Sequence, residues 1–253
     1  MQSFDELIRV MARLRAPDGC RWDREQTHAS LRPYLLEEAY EALEAIDAEA
    51  WSRLCDELGD VLLQVVFHAQ LASERGDFSI EDVCATIVTK LKRRHPHVFA
   101  DSIADTPDEV IDRWEKLKRQ EQGYEDRESA LDGVPPAMPA LQRAHKLQKR
   151  AARAGFDWED VSGPRAKVDE ELREVDEAGP ETVEDEIGDL LFAVVNLARF
   201  VDVEPEGALR RATERFGRRF RSVERAAGSE ERLRAMNLAE MDVLWEQAKA
   251  EER

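Results

Sequence analysis

Cysteine is scarce in this chain of 253 residues: Cys20, Cys55 and Cys84 are an odd set with no CxxC pair and no zinc-ligand spacing. That pattern speaks against a disulfide framework and predicts a reduced, cytoplasmic protein in which all three are small core residues. The amino-terminal stretch MQSFDELIRVMARLRAPDG has charge throughout and no apolar h-region, so no secretory signal is expected. No run of apolar residues reaches the length a bilayer demands, and no membrane role is predicted. Basic residues are outnumbered, 37 against 55 acidic, for a net charge of −18. Such a field repels a nucleic-acid backbone, and direct nucleic-acid binding is not expected. Alternating strand patterns are also missing.

What remains is helical. Charged residues at 36% and hydrophobic ones at 42% suit long helices with one solvated face. Apolar residues recur at helical intervals in Phe4 to Leu14, Leu31 to Ile46, Leu54 to Leu71, Ile80 to Leu91 and Val110 to Leu117. They do so again in Leu141 to Ala154, Ala166 to Ala178, Val183 to Phe200, Glu206 to Ala226 and Leu238 to Ala250. Ala16-Pro17-Asp18-Gly19, Gly76-Asp77 and His95-Pro96-His97 mark breaks. Residues 123–139 hold Gly133, Pro135, Pro136 and Pro139 in polar sequence and read as a linker. The expected architecture is all-α, with two bundles of four-helix type at 1–122 and 140–253.

The two halves repeat one acidic constellation. LLEEAYEALE around Glu38 answers KVDEELREVD around Glu171, and DELGDVLLQVV around Asp60 answers DEIGDLLFAVV around Asp189. TKLKRR at Lys90 and Arg94 answers ERFGRR at Arg215 and Arg219, EVIDRWEKLK at Trp114 answers EMDVLWEQAK at Trp245, and GCRWD at Trp22 echoes GFDWE at Trp158. A long unit stated only twice predicts duplication of a domain, not a solenoid.

Glu37, Glu38, Glu41, Glu57 and Asp60, then Glu170, Glu171, Glu174, Glu186 and Asp189, carry the chemistry. Acids spaced i,i+3 on two neighbouring helices point into one volume. Such acids are usually a solvated face. The helix after Leu54, however, is apolar nearly all round, with Leu58, Val61, Leu62, Val65 and Ala69 as its expected core face. Glu57, Asp60, Gln64 and His68 form a polar stripe along it, costly to bury unpaired. Hard oxygen donors without histidine-rich ligation suit Mg2+, which bridges carboxylates to substrate phosphates. Glu25 and His28, the only ExxH, have no counterpart in the second half and are not expected to be ligands. Gly59 and Gly188 each cost about 1 kcal/mol in a helix interior and predict either close approach to the backbone or tight packing there.

PYLLEEAYEALEAI, DELGDVLLQVVFHAQ, KLKRRHPHVF, RAGFDW, EIGDLLFAVVNLARF and ERFGRRF together resemble the MazG family of nucleoside triphosphate pyrophosphohydrolases over nearly the whole chain. The resemblance implies an all-α homodimer that cleaves nucleoside triphosphates to monophosphate and pyrophosphate with Mg2+, the carboxyl-terminal domain being the better catalyst. It implies metal ligation by Glu171, Glu174, Glu186 and Asp189, and nucleotide contacts from Lys167, Arg215, Arg219 and Trp245. The first copy retains Glu38, Glu41, Glu57, Asp60, Lys90, Arg94 and Trp114, so its activity is open. Arg215 stands where the family commonly has Lys.

Arg215 and Arg219, one helical turn apart, can reach a single phosphate chain, and Glu170 or Glu174 can orient or deprotonate a water. Activity of the dUTPase or phosphoribosyl-ATP pyrophosphohydrolase kind is the enzymatic alternative, and a helical interaction protein with merely superficial acids is the non-enzymatic one.

Overall fold

The computed structural model describes residues 2–99 and 128–252. Among them there are helices and turns and no strand. The chain divides into two compact units, Met1–Glu125 and Asp126–Arg253. The expected helix at Val110 to Leu117, with Trp114, lies outside the described residues.

In the first unit the helices are α1 (Gln2–Arg15), α2 (Arg21–Glu25), α3 (Arg32–Asp47), α4 (Trp51–Arg75), α5 (Ile80–Arg94) and the single turn α6 (Pro96–Phe99). Pro33 opens α3 without losing a helical hydrogen bond. Gly76 ends α4 at φ 76°, where its backbone N–H reaches back to Ala72 and Ser73. Ser79 and Asp82 then close a reciprocal capping box that starts α5.

A three-residue connection folds α3 against α4 as an antiparallel hairpin. Arg53 bonds Glu44 beside the turn, and Glu38 faces Glu57 and Asp60 farther from it. On the other side of α4, Met11, Leu31, Val66, Phe67 and Leu71 form the core, flanked by Phe4, Leu7, Ile8, Leu63 and Ile80. Arg15 ties α1 to the far end of α4 through two bonds to Glu74, at 2.7 and 2.6 Å. It also donates to the Asp23 carbonyl and lies over the Phe67 ring.

The second unit holds α7 (Ala140–Arg153), α8 (Ser162–Glu177), α9 (Val183–Phe200), α10 (Pro205–Ala227), α11 (Glu230–Ala235) and α12 (Leu238–Glu251). Here α8 and α9 form the hairpin equivalent to α3 and α4. Gln148 of α7 donates to the Phe192 carbonyl of α9 at 2.8 Å, and Arg199 of α9 grips Asp157 at 2.9 and 2.5 Å. At the other end, α10 and α12 meet through Phe216 and Trp245, with ring centroids 5.3 Å apart.

The core face expected for α4 is corrected by the structure. Leu58, Leu62 and Val65 are exposed, at 53%, 39% and 38%, while Glu57, Gln64, Val66 and Phe67 are buried. The helix is apolar on two faces, and α1 covers only the one that carries Val66, Phe67 and Leu71. Ile187, Leu191 and Val194, the counterparts of Leu58, Leu62 and Val65, are exposed in the second unit as well. Gly59 and Gly188 also differ from expectation, since a Cβ added at either would meet nothing within 4 Å. Open space beside the backbone, not close approach, is what these positions offer.

Candidate metal centres and phosphate contacts

Glu38, Glu57 and Asp60 bring carboxylate oxygens within 4.8 Å of one another, and Glu171, Glu186 and Asp189 do the same. These are the same three positions of the two repeats, arrived at separately in each unit. In both, an acid from the first helix of the hairpin meets two acids one turn apart on the second, which is what antiparallel packing of i,i+3 pairs produces. Glu170, Glu171 and Glu174 form a further group, so Glu171 belongs to both acidic sets of the second unit. Glu41 stands outside the first triad.

Electrostatics differ between the two cages. Burial, and then the charges of Asp60, Glu41, Glu37 and Glu57, raise the Glu38 carboxyl above its ordinary value. Glu57 raises that of Glu41. At the first triad Arg53 bonds Glu57 at 3.0 Å, and it also bonds Glu44 at 2.8 Å. In the second unit Lys167 bonds Glu170 at 2.9 Å and contacts the buried Glu171. Those two hydrogen bonds push the ammonium up, and the Lys167 bond holds Glu170 low. Glu174 is raised by desolvation and by Glu171.

Glu171 is 3% exposed, and its Oε2 is buried without a hydrogen-bond partner. A buried carboxylate oxygen left bare is costly. Three or more hard oxygen donors around it fit a divalent cation of the Mg2+ kind, which takes one or two protein carboxylates and fills its other positions with water and phosphate.

The basic residues gather elsewhere. Arg215 and Arg219 line a cavity of about 380 Å³ together with Arg218, Lys249 and Glu252. Glu252 lies in this basic surround, 2.7 Å from Arg219 and 3.5 Å from Arg218, and the Arg219 bond lowers its pKa. The Arg219 guanidinium is 6.0 Å from the Trp245 ring centre. Lys90 lines a groove of about 500 Å³ with Phe78, Asp82, Val83, Thr86 and Ile87, and Arg94 ends α5. None of the caged acids lines either cavity.

Arg53 and Glu252 were not singled out from sequence, whereas His28 and His68 were named there without being joined. Arg53 had a usable signal, its i,i+4 spacing to Glu57. Glu252 had none, because its partners lie on another helix more than thirty residues away. His28 and His68, forty residues apart, stack with their Nδ1 atoms at 2.8 Å. Burial first, and then His28, lowers the His68 pKa.

Helical hairpins whose facing acids converge define a class of all-α proteins with paired carboxylate cages. Residues 26–99 match the MazG nucleotide pyrophosphohydrolase domain. The chain is 49% identical over 248 residues to nucleoside triphosphate pyrophosphohydrolase/pyrophosphatase MazG of Thermotoga maritima, covering 97% of this chain and 95% of that protein. It is also 49% identical over 262 residues to nucleoside triphosphate pyrophosphohydrolase of Escherichia coli K12, covering 100% and 99%. This chain belongs to the MazG nucleotide pyrophosphohydrolase family.

Proposed function

We propose that the chain hydrolyses nucleoside triphosphates between the α and β phosphates, releasing a nucleoside monophosphate and pyrophosphate, with Mg2+ as the cofactor. The observation that carries this reading is the convergence of equivalent acids into one triad per unit, with the Glu171 Oε2 left bare, in a chain half identical to enzymes of that name. In the second unit Glu171, Glu174, Glu186 and Asp189 would hold the ion; in the first, Glu38, Glu41, Glu57 and Asp60. An ion held there would supply neutralisation of phosphate charge and a lowered pKa for the attacking water. Lys167, Arg215 and Arg219 meet the phosphates, and Trp245, beside Arg219, offers a ring face to the base. Glu170, outside that set of ligands, is the acid left to accept a proton from water.

Two further readings belong to the same proposal. The halves 1–122 and 140–253 are duplicated domains, supported by the equivalent triads and equivalent exposed stripes. The chain is a homodimer, supported by those stripes, Leu58, Leu62 and Val65 and then Ile187, Leu191 and Val194, which a soluble monomer rarely leaves bare.

The test is ion-exchange analysis of products from a panel of triphosphates, with Mg2+ and with EDTA. Monophosphate and pyrophosphate, formed only with Mg2+, are expected. Diphosphate with orthophosphate, or turnover indifferent to EDTA, overturns the reading. Asp60→Asn and Asp189→Asn, made separately, assign the activity to one cage or both.

A further inference from the structure

The equivalent hairpins differ at one position that bears on how an ion enters. Lys167 lies one helical turn before Glu171 on α8 and bonds both Glu170 and Glu171. The residue that aligns with it in the first unit is Tyr34, whose ring packs edge-on against Trp22 at 5.9 Å. Conversely, Arg53, which holds Glu57 at the first triad, aligns with Thr182. The second cage is therefore balanced by an ammonium on the first helix of its hairpin, and the first by a guanidinium on the second helix of its hairpin.

The contact between Lys167 and Glu171 uses Oε1, whereas Oε2 of the same carboxylate is buried and unpartnered. A single buried carboxylate thus faces a resident cation on one oxygen and has an unmet demand on the other. A divalent ion entering among Glu171, Glu186 and Asp189 would bring two positive charges within a few ångströms of that ammonium, and like charges so close repel strongly. The lysine has a flexible four-carbon stem, and its side chain is 37% exposed, so it has room to leave.

Resting on the metal-cage reading above, we propose that Lys167 is a resident counter-cation of the second cage, which a divalent ion must displace from Glu171 in order to bind. The first cage has Tyr34 at the equivalent position and carries its resident cation, Arg53, on α4 instead. Displacement also frees the ammonium for phosphate, so one residue balances the resting cage and afterwards serves the substrate. Lys167 is in this respect a positioning residue whose effect on metal affinity is opposite in sign to that of a ligand.

The experiment is a calorimetric titration of the EDTA-stripped full-length chain with Mn2+, carrying Asp60→Asn so that only the second cage is read. Lys167→Met should tighten Mn2+ binding about tenfold, the factor that about 1.4 kcal/mol of charge-assisted hydrogen bonding represents. Lys167→Arg should stay near the parent. A variant that merely perturbed the fold would bind more weakly, so unchanged or weakened affinity in Lys167→Met overturns the proposal.

The chain with Lys167 intact gives a second readout, mass-spectrometric footprinting with an amine-acylating reagent. Labelling of Lys167 should rise on adding Mg2+ without nucleotide, while that of Lys146 stays constant; no change at Lys167 again overturns the proposal. If instead the Asp60→Asn, Asp189→Asn double variant binds Mn2+ as well as the unaltered chain, the cage reading itself falls.

Discussion

Glu38→Gln should stabilise the metal-free protein and at the same time remove its response to metal at the first cage. Oxygens of Glu38, Glu57 and Asp60 lie within 4.8 Å of one another. Two unit charges at that separation repel by about 3.5 kcal/mol at an effective dielectric near 20, and by about 0.9 kcal/mol in bulk water. Glu38 is half-buried, and Arg53 offsets part of the Glu57 charge, so the net relief lies toward the lower figure, about 1 kcal/mol. For a unit of this size that raises the melting temperature by about 4 °C.

The sign with pH follows from the raised Glu38 carboxyl. The folded state holds this proton more tightly than the unfolded one, so the repulsion is absent below the unfolded value, about 4.3. It grows in as pH rises through the folded value. The advantage of Glu38→Gln should therefore be full at neutral pH and vanish in acid. Saturating Mg2+ should reverse the order, because an ion at a hundred times its dissociation constant stabilises by about 2.7 kcal/mol only the protein that binds it. Thermal melts in an Asp189→Asn background, with EDTA and with Mg2+, read both effects. A Glu38→Gln protein that melts at or below its parent in EDTA at neutral pH refutes the reasoning.

Arg15→Ala removes the paired bonds to Glu74, the bond to the Asp23 carbonyl and the contact with Phe67. Truncating this buried guanidinium should cost about 3 kcal/mol in urea unfolding, and a loss under about 1 kcal/mol would mean the pair behaves as a surface bridge. Asp157, held low by the Arg199 bond, contributes stability that is present above the unfolded aspartate value, about 3.9, and is lost as pH falls through its folded value. Asp157→Asn should accordingly be less stable than its parent at neutral pH and converge with it as pH falls through the folded value of Asp157, as followed by circular dichroism; a constant difference down the acid limb would show that the ion pair is not its source.

The helices were legible because helical periodicity is local, and so were their ends at Gly76 and Pro96, where the residue type fixes the backbone. The acids were legible because the chain states them twice at i,i+3 spacing, a pattern that can address only one helix face. Which apolar face would be covered was not legible. Leu58, Leu62 and Val65 are as hydrophobic as Val66 and Phe67, and only the docking of α1 decides between the two sets.

Alone, then, the sequence determined an all-α chain with a repeated set of acids placed to converge, since turn-by-turn geometry follows from spacing. The tertiary structure decided which cation balances each cage, Arg53 in one and Lys167 in the other, and that Glu252 lies among the arginines of α10. Charges from separate helices meet only once those helices have packed, and no spacing along the chain encodes the distance between them.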